Sequence, residues 1–395
     1  MVDRSVIFVT WDGSQTNYLE SLFLPVFVEL VPKGFHFRVL QLTWAKAERV
    51  ASLKTLCQEH GIDYTHVPIL RSPRGLGQVL SVLAGALQLR RELREAGTST
   101  VLFRSIMGAL VVKISRVPSV HRLVYDSDGL PIDERVDFSN LRQGSPLHRL
   151  LVSVENWALT ISSNVLARSE FGKRVLVNRI EELAARTPVH VISNGRIRRD
   201  RDCLPTMRAQ DVVPSKPLSI CYVGSWGAPY DPVRILDLVK YLRSSFAGAT
   251  FHIFTGDSSR VTADLATAGL AEVDWISVGW SEVGELSESL LGFDIGLALR
   301  KRTVSTRATS PMKLASYLAS GVAIVGDQIG DQSTYLATND AMFLLEGNPT
   351  QELSAWIDEF ALSDRATRFE RCQKLAIEKF SMTESVAQHE NVLKL

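Results

Sequence analysis

Two successive α/β domains, each a doubly wound parallel sheet with helices on both faces, are the fold class this sequence predicts, and three observations predict it. The chain has 395 residues, too many for one ordinary core. Short apolar strands alternate with helical stretches along both halves, a spacing that gives parallel sheets rather than hairpins. Residues 196–217 interrupt the alternation: they are rich in Arg and Asp, carry Pro205, Pro214 and Pro217, and show no periodicity. The expected division is therefore a first domain over 1–196, a linker over 197–217, a second domain over 218–363 and terminal helices over 364–395.

In the first half, strands are expected at Val6–Thr10, Phe37–Leu42, Val67–Leu70, Thr100–Phe103, Leu123–Asp126, Val165–Ala167 and Val189–Ile192. Helical periodicity covers Tyr18–Val31, Trp44–His60, Leu76–Ala96 and Leu147–Ser162. In the second half, strands fall at Leu218–Val223, Thr250–Phe254, Val273–Val278, Ile295–Leu299, Val322–Val325 and Ala341–Leu345. Helices there cover Val233–Ser244, Ser259–Ala268, Val283–Leu291, Pro311–Ala319 and Thr350–Leu362, and a long terminal helix breaks near Phe380-Ser381. Two such domains in tandem imply a ligand cleft between them, at the carboxyl ends of the strands.

Composition narrows the class. Hydrophobic residues make up 45% and charged residues 22%, which fits a soluble globular chain. The net charge of +1 conceals an asymmetry: residues 1–200 hold 26 of the 44 Lys and Arg but only 19 of the 43 Asp and Glu. A basic first half suits an anionic partner such as a membrane surface or a phosphate-bearing acceptor, against the plainer reading of a solvated surface. Cys57, Cys203, Cys221 and Cys372 are scattered without metal-ligand spacing, which argues against structural zinc and a disulfide framework and fits a reducing compartment. Val6–Thr10 reads as a first strand rather than a signal segment, so the expected location is cytoplasmic, with the inner face of a membrane left open. The segment Val79 to Leu89 is bracketed by Arg71, Arg74, Arg90 and Arg91. It reads first as a crossover helix packed on the sheet and second as an amphipathic helix lying on a bilayer.

The stretch Ser310 to Gly321 says most about function. It follows a buried-looking strand, Asp294 to Leu299, and a polar loop, Arg300 to Thr309, and it precedes the apolar strand at Val322. A serine able to cap, then a proline just inside a helix start, leaves backbone N–H groups free at the first turn. Those donors and the helix dipole favour an anion, and Lys313 adds a full charge. Neither half carries a Gly-x-Gly-x-x-Gly after its first strand or a Gly-x-x-x-x-Gly-Lys-Ser/Thr, which disfavours nicotinamide dehydrogenases and P-loop enzymes. No nucleic-acid partner and no metal site are indicated.

Several elements then occur in a recognisable order. They are Val191-Ile192-Ser193-Asn194-Gly195, Tyr222-Val223-Gly224-Ser225-Trp226-Gly227, Phe251 to Asp257, Val278-Gly279-Trp280, Asp294-Ile295-Gly296-Leu297 and Ser310-Pro311-Met312-Lys313-Leu314, followed by Lys379-Phe380-Ser381-Met382. In that order they resemble the retaining, nucleotide-sugar-dependent glycosyltransferases of the two-Rossmann (GT-B) type, family 4, over roughly 165 to 395. No single element is specific; the order is. In the first half, Gly13-Ser14 resembles the glycine loop that begins such domains. Val124 to Gly129 with Asp133-Glu134-Arg135 is similar to an element of members that make surface polysaccharides, and Ala167-Arg168-Ser169-Glu170 to a segment facing the cleft.

The resemblance implies a metal-independent hexosyltransferase with a UDP- or GDP-sugar co-substrate, no other cofactor, and a glycan, lipid-linked or small-molecule acceptor. It implies retention by front-face attack within an ion-pair-like complex, and terminal helices that cross back to the first domain. Donor contacts fall on Gly224, Ser225, Ser310, Pro311, Met312, Lys313, Ser316 and Arg307; acceptor-side contacts fall on Gly13, Ser14, Arg104, Ser169 and Asn194. Chemistry agrees, because a departing sugar diphosphate needs anion stabilisation, and Asp126 and Asp128 at a strand's carboxyl end could accept an acceptor proton. The alternative for that pair is a turn in which the aspartates bond nearby N–H groups. Arg300, Lys301 and Arg302 could add charge or simply be solvated.

The chain departs from the family at three places. Ser316 stands where a glutamate holds the ribose, and Ala308 where many members have a glutamate near the donor sugar. Ser225 to Asp231 lacks the Arg and Lys that often bind the diphosphate. One carboxylate can bind two vicinal hydroxyls and a serine cannot, so the ribose contact passes to residues such as Glu282 or Glu285, or is weak. A degenerate, non-catalytic binding or scaffold protein is therefore the competing class, with a sugar-nucleotide epimerase of the same fold ranked third.

Overall fold

A computed structural model describes residues 4–14, 17–73, 75–97, 99–195, 197, 217–281, 286–331, 341–361 and 365–394. Arg74, Cys203, Glu282, Glu285 and nearly all of the expected linker lie outside the described residues. The chain forms two compact units, Met1–Asn194 with Glu384–Leu395, and Gly195–Thr383.

The first unit contains β1 (Arg4–Asp12), β2 (Phe35–Thr43), β3 (Asp63–Pro68), β4 (Thr100–Arg104), β5 (Arg122–Asp126), β6 (Asn164–Ala167) and β7 (Val189–Val191), in the order β3-β2-β1-β4-β5-β6-β7. The second contains β8 (Ser219–Val223), β9 (Thr250–Phe254), β10 (Ile276–Gly279), β11 (Ile295–Ala298), β12 (Ala323–Asp327) and β13 (Met342–Leu345), in the order β10-β9-β8-β11-β12-β13. Every described pairing between these strands is parallel. The strand order reverses between β1 and β4 and again between β8 and β11. At such a switch point adjacent loops diverge and leave room for a ligand at the strands' carboxyl ends.

Strands covered by helices on both faces become continuous apolar runs, and the central ones are. Val6 to Val9 in β1, Val101 to Phe103 in β4 and Ile295 to Ala298 in β11 are buried throughout. Phe8, Phe23 and Phe27 cluster under β1, and Phe27 stacks on Phe37 of β2 at 4.2 Å between ring centroids. The edge strands differ. β3 buries only Val67 and lies upstream of the expected Val67–Leu70; β10 has no buried residue and starts later than the expected Val273.

In the second unit two of the recurring elements have packing roles. An added Cβ on Gly296 would come within 2.6 Å of the Tyr317 ring, so a side chain there would displace the tyrosine. Tyr317 Oη accepts from the Val223 backbone N–H at 2.9 Å and donates to the Leu297 carbonyl at 3.2 Å, tying β8 to β11 across the switch point. Asp294 accepts from Ser219 N–H and Oγ–H at 2.9 and 2.7 Å and pairs with Arg368 at 3.0 Å, fastening β8 to the helix Arg365–Lys379.

The last helix, Met382–Lys394, starts after a break at Phe380-Ser381. From Glu384 onward it belongs to the first unit, where Lys33 pairs with Glu390 at 2.5 Å and Gln388 accepts from the Ser193 N–H at 2.8 Å.

Candidate functional site

The carboxyl ends of β8 and β11 carry the first candidate site. Tyr230 and Arg300 form an antiparallel bridge between the loops that follow these strands, and Lys301 N–H donates to the Pro229 carbonyl at 3.0 Å. Arg300 is buried, which overturns the solvated reading for it though not for the exposed Lys301 and Arg302: its N–H donates to Asp327 Oδ2 at 2.6 Å and its Nη1 to the Thr306 carbonyl at 2.9 Å. Asp327 is held in turn by Arg234 at 2.8 Å. The loop then makes a helical turn, Val304–Arg307, capped by Thr303.

The helix that follows starts later than the sequence predicts. It spans Lys313–Ala319 with Met312 as its N-cap, so Pro311 precedes the helix and Ser310 does not cap it. Residue 312 is already helical in φ and ψ, and the Leu314 N–H reaches the Pro311 carbonyl at 3.3 Å, a tight entry turn that replaces a side-chain cap.

Lys313 is the centre of this site. Its side chain is buried, with Nζ 3.8 Å from the Tyr222 ring centroid and 3.6 Å from that of Tyr230. Among the described residues Nζ has no hydrogen-bond acceptor. Gly224, at φ +115°, faces it, and an added Cβ would lie 3.6 Å from Nζ. Burial pushes the Lys313 ammonium well below its ordinary value, and the Arg300 charge pushes the same way. Two aromatic faces soften the charge without neutralising it, because they offer no lone pair. A buried cation without an acceptor is costly, so an anion beside Nζ would restore its charge and be held by it.

The other donor-side expectations distribute around Lys313. Ser225 is exposed on the Gly224 loop, and its carbonyl accepts from Tyr222 Oη at 2.5 Å. Arg307 is exposed on the Thr303-capped turn; Ser316 and Ala308 are buried. The Arg260 guanidinium lies against Gly227, so a second cation reaches the Gly224–Asp231 loop from another helix, Ser258–Thr267. Trp280, 65% exposed, follows β10 beside Gly256. Sequence reasoning had no signal for Arg260, Tyr222 or Tyr230 in these roles, since each arrives from a different turn of the fold.

The first unit gathers charge at the ends of β1, β4, β5 and β6. Arg104 lies opposite Asp126 in the β4–β5 register and pairs with Asp128 at 2.5 Å. Burial opposes the Arg104 charge, but Asp128, Asp126 and Asp12 together hold the guanidinium above its ordinary value. Asp126 is fully buried, pairs with Arg168 and accepts from the Asp128 N–H at 3.1 Å. The turn alternative thus describes Asp126, whose carboxylate is also held by Arg168. Asp128, at φ +54°, is partly exposed. Asp12, pushed upward by burial, accepts from Gln41 at 2.7 Å.

Ser169 caps the helix Glu170–Glu182 through the Gly172 N–H at 2.9 Å, a structural use of the hydroxyl. Ser14 follows β1, its carbonyl accepting from Arg49 at 3.0 Å, with Gly13 beside it; Asn194 is buried beyond β7. His389 was not anticipated. It is buried, Nδ1 hydrogen-bonds the Ser385 carbonyl at 2.8 Å, and burial with the Arg168 charge lowers it to about 4. Among the described residues no cluster of His, Cys, Asp and Glu could hold a metal ion.

Two parallel sheets of seven and six strands match the GT-B glycosyltransferase fold. By sequence, no family model matches the chain and no curated protein matches it closely enough to count as a relative. Solved structures do match. Anabaena HepE in complex with UDP and glucose shares 15% identity at a TM-score of 0.69, over 99% of each chain. Sucrose-phosphate synthase from Thermosynechococcus elongatus shares 12% at 0.71, over 99% of this chain and 98% of that one. A putative UDP-N-acetylglucosamine 2-epimerase from Listeria monocytogenes shares 12% at 0.60, over 100% and 96%. At these identities the likeness is one of fold.

Proposed function

We propose that the chain is a retaining glycosyltransferase that transfers a hexose from a UDP- or GDP-sugar to a hydroxyl of a glycan, lipid-linked or small-molecule acceptor, in surface polysaccharide or glycoconjugate synthesis. The observation that carries this is the buried Lys313 ammonium, without an acceptor among the described residues, facing Gly224 at a switch point. A diphosphate oxygen is the acceptor it lacks, and Gly224 leaves space for one. Arg260 would add charge at the same loop. Trp280 would offer a flat apolar face to the nucleobase.

In the proposed reaction the bond from the sugar's anomeric carbon to the diphosphate oxygen breaks as the bond to the acceptor oxygen forms on the same face. Negative charge grows on the departing diphosphate, where Lys313 stabilises it, and the acceptor proton passes to that diphosphate. Asp128, the more accessible of the two aspartates and fixed by Arg104, orients the acceptor hydroxyl. Positive charge from Lys313 and Arg260 serves where a metal would, so turnover should survive EDTA.

A screen of nucleotide sugars with the anomer of the product read by NMR tests the proposal. Transfer or slow hydrolysis with retained configuration is expected; binding without turnover for every donor would favour the non-catalytic reading, which the buried Ser316 and Ala308 support. Interconversion of the sugar while it stays attached to the nucleotide would favour an epimerase.

A further inference from the structure

The helix Leu76–Glu95 is apolar on two faces. It turns Gly77, Ser81, Val82, Gly85, Ala86, Leu89 and Leu93 inward and leaves Leu76, Val79, Leu80, Leu83 and Leu87 between 43 and 57% exposed. The inward face needs small residues: an added Cβ on Gly77 would approach the Leu70 carbonyl oxygen to 2.6 Å, and one on Gly85 the Leu42 side chain to 2.7 Å. Close packing explains the glycines but not the leucines outside. Single exposed leucines are ordinary, whereas five at helical spacing form one stripe, about 16 Å long at 1.5 Å per residue.

The ends of that stripe are basic. Helical spacing continues the same face into Arg90, Arg91 and Arg94. Arg90 is engaged, donating to the Ser115 carbonyl at 2.7 Å, while Arg91 and Arg94 are exposed. At the other end Leu70 is 46% exposed and Arg71 stacks over Trp44 at 5.7 Å. No Asp or Glu lies on this face: Glu92 is buried, and Glu95, on the flank, pairs with Arg38 at 3.2 Å. No described helix is long and apolar enough to cross a membrane.

We infer that the Leu76–Glu95 helix docks the protein in the plane of an anionic phospholipid bilayer, leucines in the acyl boundary and arginines on lipid phosphates. Apolar burial between cations, with a tryptophan at one end, is the chemistry of an interfacial helix. A protein partner would want the leucines without need of arginines at both ends. The inference does not depend on the transferase reading.

Cosedimentation of the full chain with vesicles of phosphatidylcholine alone, and with roughly a quarter phosphatidylglycerol, tests it. Binding to the anionic vesicles should exceed binding to the neutral ones at least about tenfold and weaken with salt. Leu80→Ser with Leu83→Ser, and separately Arg91→Glu with Arg94→Glu, should each weaken it about tenfold or more, leaving the Tm and nucleotide binding unchanged. No binding to anionic vesicles, or binding indifferent to the leucine pair, overturns the proposal. So does a dimer that the leucine pair converts to monomer, since a second copy would then cover the stripe.

Discussion

The two sheets end in polar clusters of opposite character. At the end of β4 and β5, Arg104 and Asp128 pair, as do Asp126 and Arg168, so the buried charges are balanced from within the chain. Beyond β8 and β11, Lys313 lies among aromatic rings with no acceptor among the described residues. Burial costs both clusters the hydration of their charges, but only the first recovers the loss by pairing. A balanced cluster holds loops in place, whereas an unbalanced one is incomplete until an anion arrives. On the proposed reading the second switch point captures an anionic ligand, whereas the first is held together largely by its own ion pairs.

Breaking a pair should cost most. Asp126→Ala leaves Arg168 buried without its carboxylate, and urea unfolding should show a loss of about 3–5 kcal/mol. Asp128→Asn, at a partly exposed position, should cost less than half of that while lowering turnover; a loss as large as for Asp126→Ala would mean that both aspartates are scaffolding. The next effect is on pH dependence. Below its ordinary value of 6.5 His389 would be protonated in the unfolded chain, yet the folded chain keeps it neutral down to about 4. Stability should therefore fall as the pH drops from 6.5 to about 4, by up to about 3 kcal/mol, and level off below that. His389→Gln should flatten this limb, as read by urea midpoints across the range.

Much of the fold is legible in the sequence because central strands buried on both faces are continuous apolar runs; Thr250–Phe254 falls where it is expected. The misplaced strands, β3 and β10, are both sheet edges. An edge strand buries little, so Asp63 to Val67 carries a weak apolar signal although it pairs in register with β2. The site is legible in part. Lys313 stands out by its setting after a strand and loop, but its burial does not, because Tyr222 on β8 and Tyr230 in the loop after it arrive from more than eighty positions away. Asp126 ends β5 and Arg168 follows β6, its neighbour in the sheet but 42 positions on, so their pairing depends on register, which composition does not reveal. The Leu76–Glu95 helix packs inward through Val82, Leu89 and Leu93 as a crossover helix should, but an apolar run does not reveal that it also carries a second, outward stripe; the inward glycines are the one local sign of it.

The smallest effect is also the most direct. Calorimetric titration of UDP and of GDP near pH 8, in two buffers of different ionisation enthalpy, reports protons taken up on binding. Because burial holds the empty Lys313 well below its ordinary value and a phosphate would restore its charge, binding should take up a fraction of a proton and weaken as pH rises. Lys313→Met should abolish the uptake and lower affinity at least about tenfold. Binding of either nucleotide with no proton uptake and an unchanged affinity in Lys313→Met, or no binding of either nucleotide to the wild-type chain, would contradict the account.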